Sequence, residues 1–138
     1  MANRPDWLNP RSAVIPVIRD NQGVKVVLVT TKPNKNNWIF PKGQIEMGMS
    51  AHDSAAKEAL EEAGVVGQIS PEVFDEYVQQ KWGGRTRVKV YLLQVTEVLD
   101  RWLEMRDRNR KIVSLDQAIE LIHTPQQQSL IKLKQTDL

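Results

Sequence analysis

The sequence predicts an α/β domain built on a mixed β-sheet with helices on both faces, and three observations predict it. β-branched runs come first, one well-capped helix is inserted among the strand segments, and helical signals close the chain. The 138 residues and 15.8 kDa suit one hydrophobic core, and neither an internal repeat nor a linker divides them. Residues 1–10, with Pro5, Asn9 and Pro10, read as an N-terminal arm, and residues 11–138 as a single domain.

Residues 13–18 and 24–29 are β-branched runs separated by Asp20-Asn21-Gln22-Gly23, the pattern of two antiparallel strands joined by a short turn. Pro16 has no N–H to give to a ladder, which predicts an edge or bulged position for the first strand. Residues 32–37 form a polar loop, after which Trp38-Ile39-Phe40-Pro41 re-enters the core. Ser50 and Asp53 have the spacing of a capping box, and Gly64 supplies the left-handed residue that ends a helix. Around that helix Ala56, Ala59, Leu60 and Ala63 share one side, while Glu58, Glu61 and Glu62 centre roughly 155° away. The expectation is a helix lying on the core with three carboxylates pointing outward.

Strand signals follow at residues 65–69 and 73–79, then a turn at Gly83-Gly84 and a longer run over residues 85–98. In that run Val88, Val90 and Leu92 alternate with Arg87, Lys89 and Tyr91, predicting one apolar and one basic face. Residues 101–111 read as a charged loop. Ser114 with Gln117 caps a helix reaching about His123, and Pro125 opens a C-terminal helix.

Composition excludes several function classes. Nineteen Lys and Arg against seventeen Asp and Glu leave only +2, a balance that argues against blanket binding to a nucleic-acid backbone, so charge must act locally. The absence of cysteine removes disulfides, thiolate zinc sites, Fe–S clusters and thiol nucleophiles. His52 and His123 are too few for a three-histidine metal site, and no G-x-S-x-G elbow is present. No apolar leader or membrane-length run occurs, so the expectation is a cytoplasmic protein with no membrane partner.

Glu58, Glu61 and Glu62 are helix neighbours at i, i+3 and i+4, and each like-charged pair costs about 0.2–0.5 kcal/mol in water. Taken alone, such a trio is most simply a solvated acidic face. No Lys or Arg stands at spacings that balance it, however, and a hard divalent cation would supply the missing charge. Mg²⁺ characteristically takes carboxylates together with the oxygens of a substrate phosphate. Upstream, Gly43 and Gly48 are spaced as in a phosphate-binding P-loop, but Met49 stands where that loop needs Lys, and no G-x-G-x-x-G occurs.

The stretch from Pro41-Lys42-Gly43 to Gly64-Val65 resembles the signature of the Nudix hydrolase family, G-x5-E-x7-R-E-U-x-E-E-x-G-U with U aliphatic. Gly43, Glu58, Glu61, Glu62, Gly64 and Val65 fall on its positions without insertion, and Ala59 takes an aliphatic place. The resemblance implies that family's α/β/α sandwich and hydrolysis of a nucleoside diphosphate derivative or related polyphosphate with Mg²⁺ or Mn²⁺. It also implies Glu58, Glu61 and Glu62 as catalytic metal ligands, the main-chain carbonyl of Lys42 as a further ligand, and Glu58 as an alternative general base. Two positions depart from the signature: Met49 replaces its first glutamate and Lys57 its arginine, so both members of an interacting pair change together. That points to fewer or weaker metal sites, with Glu46 as a substitute carboxylate.

Downstream, Val95-Thr96-Glu97-Val98-Leu99, Trp102, Arg108-Asn109-Arg110-Lys111 and Asp116-Gln117-Ala118-Ile119 resemble the diphosphoinositol polyphosphate phosphohydrolases, which also cleave diadenosine polyphosphates. The subgroup's basic positions match Arg11, Arg87, Arg108 and Arg110, which with Lys42 become candidate substrate-binding residues. Lys111 and Ile112 depart from it, standing where the subgroup carries glutamate and tryptophan.

Weaker candidates have simpler readings: His52 as a surface residue, His123 near a helix C-terminus, Trp38, Trp82 and Trp102 as packing, and Glu76 or Glu97 as strand-surface carboxylates. The expectation is thus a metal-dependent pyrophosphohydrolase acting on a phosphorylated small molecule, as a monomer or homodimer. The alternative is a sensor of the same fold that binds a polyphosphate without turnover. Pyrophosphate removal from an RNA 5′ end is a further enzyme reading, which the modest charge disfavours.

Overall fold

The structure, a computed structural model, describes residues 9–81 and 83–136, Lys81 by its backbone alone. Most of the expected N-terminal arm and Trp82 lie outside the described residues. Among those described, eight strands form one mixed sheet: β1 (Arg11–Asp20), β2 (Gly23–Thr30), β3 (Trp38–Ile39), β4 (Lys42–Gln44), β5 (Val65–Ile69), β6 (Asp75–Lys81), β7 (Gly84–Val98) and β8 (Arg110–Ser114). The order is β3-β2-β1-β7-β5, with β4 beside β1, β6 beside β7 and β8 beside β2. β1 and β7 run parallel from Arg11↔Val88 to Val17↔Gln94, and the other pairings are antiparallel. The helices are α1 (Ala51–Glu58), continued by a π-helical turn (Ala59–Ala63), then α2 (Leu115–Leu121) and α3 (Gln126–Gln135).

Strand alternation divides the apolar residues between two cores. Ala13, Ile15, Val17, Val26 and Leu28 pack with Ala118, Ile122, Leu130 and Leu133 of the α2–α3 region. Val14, Val27 and Val29 face the other way, against Ala55, Ala59 and Ala63. The expected α/β sandwich with helices on both faces is therefore what forms. The turn between β1 and β2 is as expected, with Asp20↔Gly23 at its mouth and Gly23 at φ 116°.

Three strand expectations are corrected. Pro16 lies in a central strand, not at an edge, paired with Leu93 of β7. On its other side β4 reaches only Ala13 and β2 begins only at Val17, while the Val14 N–H bonds to Pro41 O at 3.0 Å. Backbone N–H groups alternate sides along a strand, so the donor Pro16 lacks would have pointed into that gap. On β7 the basic face is confined to Arg87 and Lys89, because Tyr91 and Leu93 on the same side are buried in the second core. The expected loop over residues 101–111 ends in strand β8, where Val113 alone is buried and no apolar alternation announces a strand.

The C-terminal helices follow their signals. Ser114 and Gln117 make both halves of a capping box, and Pro125 precedes α3. The buried Gln126 accepts from the Phe40 N–H at 2.6 Å and donates to the Tyr77 hydroxyl at 3.0 Å, tying α3 to the segment before β4. No helix among the described residues is long and apolar enough to cross a membrane.

Candidate active site

The turn before α1 closes with the Met49 N–H on Glu46 O at 3.0 Å, with Gly48 at φ 81°. Ser50 then caps the helix, its Oγ accepting from the Asp53 N–H at 3.0 Å. Ala55, Ala59 and Ala63, four residues apart and fully buried, let the helix lie close on β1 and β2. In the π-helical turn the Gly64 N–H reaches Ala59 O as well as Leu60 O, which inserts an extra residue before Gly64 closes the helix at φ 65°. The buried stripe rotates accordingly. Leu60, expected in the core, is 41% exposed, whereas Glu62, expected in solvent, is 3% exposed.

A helix end leaves its last carbonyls without intrahelical donors. Here four in succession are satisfied by residues 99–110. Glu61 O accepts from the Glu104 N–H, Glu62 O from Trp102 Nε1, Ala63 O from Arg110 Nη1 and Gly64 O from the Leu99 N–H, at 2.8–3.0 Å. The Arg110 guanidinium also lies 4.0 Å over the Trp102 ring. Arg110, read from sequence as a candidate phosphate ligand, and Trp102, read as packing, are thus engaged in closing the helix end.

Glu62 Oε1 accepts from the Lys42 N–H at 3.2 Å, and Oε2 lies 3.6 Å from Arg108 Nη2. Its carboxyl also shares a hydrogen bond with Glu58. Burial, reinforced by that bond and opposed by Arg108, pushes the Glu62 pKa up to about 9. Burial likewise raises Glu58, opposed by its bond to Glu62. Burial thus favours the protonated form of Glu62 beside a Glu58 whose own pKa is raised. Gly43 makes room for this pair, because a Cβ there would stand 2.5 Å from the Glu58 carboxylate.

Glu61 is arranged differently. Lys57 Nζ hydrogen-bonds to Glu46 Oε1 and lies 3.6 Å from Glu61 Oε2, one helical turn on. The expectation that no cation stands at a balancing spacing is corrected by this i,i+4 contact. With Glu61 next to Lys57 and Glu58 against Glu62, no three His, Asp or Glu side chains among the described residues are gathered into a ready-made metal cage. The donor chemistry nevertheless fits a hard cation. It offers carboxylate oxygens, and a divalent ion would displace the proton that burial favours on Glu62.

A cleft of about 370 Å³ adjoins the pair on the side of the sheet that carries Ala13 and Tyr77. Arg11, Lys42 and Arg108, all expected substrate ligands, line it together with Lys32, Thr31, Asn37, Gln79 and Thr124. Lys42 Nζ donates to Gln79 Oε1 at 2.9 Å. Arg108 also bonds to Glu104 Oε1 at 2.8 Å and Thr30 O at 2.9 Å. Arg87 is outside this lining, exposed on β7 and 3.9 Å from Glu76 Oε1. His52 packs edge-on to Tyr91, His123 is exposed, Trp38 lies under Lys111 at 5.0 Å, and Glu97 is exposed near the far end of β7. Sequence reasoning missed Lys32, Gln79 and Glu104. Only the strand and loop geometry brings them here, and no spacing in the chain marks them.

The raised carboxyl pKa values carry a sign for stability. Between the ordinary value of 4.5 and about 9 the folded pair keeps a proton that the unfolded chain releases, so stability falls as pH rises through that window. With chelator present, the melting temperature of the wild type is expected to drop from pH 5 to pH 9 more steeply than that of Glu62→Gln, as calorimetry would read. Parallel curves would mean that the pair titrates normally.

A NUDIX domain model matches residues 8–133. The chain is 32% identical over 103 residues to the mitochondrial Nudix hydrolase 12 of Arabidopsis thaliana, covering 69% of this chain and 51% of that one. It is 31% identical over 127 residues to diphosphoinositol polyphosphate phosphohydrolase 3-beta of Homo sapiens, covering 88% and 74%. The chain spans about half the length of the plant relatives, 49–57%. Among solved structures the C. elegans Ap4A hydrolase binary complex superposes with a TM-score of 0.78 at 19% identity, over 93% of this chain and 96% of that one, a likeness of fold. With domain match, sheet order and signature glutamates in agreement, the chain belongs to the NUDIX family.

Proposed function

We propose that the chain is a divalent-metal-dependent pyrophosphohydrolase, cleaving a phosphoanhydride in a dinucleoside polyphosphate, a nucleoside diphosphate derivative or a diphosphoinositol-like polyphosphate, in the cytoplasm. The observation that carries this reading is the joining of two features through shared residues. Lys42 and Arg108 both contact Glu62 and both line the cleft, so a phosphate chain held by the cleft's cations meets the buried carboxyl pair.

In this reading Glu58, Glu61, Glu62 and the main-chain carbonyl of Lys42 hold Mg²⁺ or Mn²⁺. The ion, when bound, neutralises phosphate oxygens and lowers the pKa of the attacking water. The side chains of Arg11, Lys32 and Lys42 orient the phosphates and offset their charge. Arg108, held by Glu104 and Thr30, keeps its positive charge between the cleft and Glu62. As an alternative to ligating the ion, Glu58, beside Gly43, takes the proton of the water that attacks phosphorus as the anhydride P–O bond breaks. The departures at Met49 and Lys57 favour a second reading, a polyphosphate sensor without turnover.

Two experiments test the proposal. Diadenosine polyphosphates, ADP-ribose, nucleoside triphosphates, a 5′-triphosphorylated RNA and a diphosphoinositol polyphosphate are incubated with Mg²⁺, Mn²⁺ or chelator, and phosphate or pyrophosphate release is measured. Turnover should require metal and fall by at least about 100-fold in Glu62→Gln, whose fold persists. Ligand-induced thermal stabilisation without turnover would instead establish the sensor. In Gly43→Ala the new methyl displaces the Glu58 carboxylate while the backbone, which has no positive φ there, tolerates it. Activity should fall about tenfold or more at a nearly unchanged melting temperature. Unaltered activity would remove Glu58 from the site.

A further inference from the structure

The Glu46–Lys57–Glu61 chain of charges is not explained by the family signature, which has neither Glu46 nor Lys57 in it. Lys57 takes the arginine place, yet its first partner is not a residue of the signature. Its Nζ hydrogen-bonds to Glu46 Oε1, while Glu61 Oε2 stays at 3.6 Å, within ion-pair range but beyond a hydrogen bond. The turn explains how Glu46 reaches. The Met49 N–H closes on Glu46 O, and Gly48 at φ 81° folds the chain back, so that Glu46 comes beside the helix from three residues ahead of Met49. Met49, with no carboxylate, leaves Lys57 to it.

The consequence lies in what Lys57 would otherwise do. A lysine four residues before a glutamate on one helix face is free to close on it, and an ammonium bonded to a carboxylate competes with a cation for the same oxygens. We propose that Glu46 is a positioning residue that holds the Lys57 ammonium off Glu61, leaving the Glu61 carboxylate available to a divalent cation. The inference rests on the proposed metal-dependent reading of the site and adds to it a residue outside the family signature. Both side chains of the pair are partly exposed, Lys57 at 33% and Glu46 at 52%, so substituting them leaves the core intact.

The test is a double-mutant cycle read by Mn²⁺ titration of the folded protein in the absence of substrate, with kcat and KM measured alongside. In Glu46→Gln, Lys57 closes on Glu61. Mn²⁺ affinity is expected to weaken about tenfold, and kcat at limiting Mn²⁺ to fall similarly with KM unchanged and to recover in excess Mn²⁺. In Glu46→Gln combined with Lys57→Met, affinity returns to within about twofold of wild type, because nothing is left to compete for Glu61. Equal weakening in both backgrounds would make Glu46 a direct ligand or a remote charge and overturn the proposal, as would unaltered affinity in Glu46→Gln. A wild-type protein that binds no Mn²⁺ would overturn the metal-dependent reading itself and this proposal with it, whereas the first two results leave that reading standing.

Discussion

Two carboxyls that face each other, Glu62 buried and Glu58 half-buried, are the constraint on which the rest of the structure depends. Glu62 is 3% exposed, and among the residues acting on it Arg108 is the charge that favours ionisation. Such a group is costly to hold ionised, and proteins resolve the cost by protonation, by pairing or by binding a cation. Each neighbouring feature serves that arrangement. Gly43 yields the space for Glu58, the Lys42 N–H bonds to Glu62, and residues 99–110 seal the helix end so that its carbonyls need no water. Leaving one such carbonyl buried and unmet would cost about 1–3 kcal/mol, so Trp102 and Arg110 contribute to the site without touching its chemistry.

The sheet supplies the rigidity this arrangement requires. β1 carries the site by two routes. It pairs with β4 through Arg11–Ala13, fixing Lys42 and Gly43, and its Val14 joins the core under α1. Because β1 is also held in parallel register by β7, the cleft residues Arg11 and Lys42 are positioned by the most deeply buried part of the fold. Pro16 is compatible with that central place because the handover from β4 to β2 leaves its missing donor without an acceptor to disappoint. The Gln126 side chain ties α3 to this framework by meeting Phe40, next to β4, and Tyr77 of β6 at once.

Much of this was legible in the sequence wherever a local rule has a local cause. Ser50, Gly64, Ser114 with Gln117 and Pro125 act on their own backbone, and each marked a helix boundary within a few residues. The limits of β5 could be read from its own residues for the same reason. What could not be read depends on partners distant in the chain. The π-helical turn rotates Glu62 inward and Leu60 outward, against an ideal helical wheel, and residues 99–110 cover the result. β8 has one buried side chain and so no alternation to detect. Arg110 carries the same charge whether it binds phosphate or caps a helix, and only the carbonyls of Ala63 and Leu99 distinguish the two. Of the expected site, the glutamate cluster was visible in the spacing and Lys42 only through the resemblance to the family signature, while Lys32, Gln79 and Glu104 were visible through neither.

The central claim, that the Glu58–Glu62 pair beside Lys42 is where a divalent cation is held, is tested most directly by crystals of the wild-type protein grown with Mn²⁺ and measured for anomalous scattering. The account predicts a Mn²⁺ peak within bonding distance of the Glu58 and Glu62 carboxylates and the main-chain carbonyl of Lys42. A peak confined to exposed carboxylates such as Asp53 or Asp116, with Glu58 and Glu62 still hydrogen-bonded to each other at saturating Mn²⁺, would contradict it.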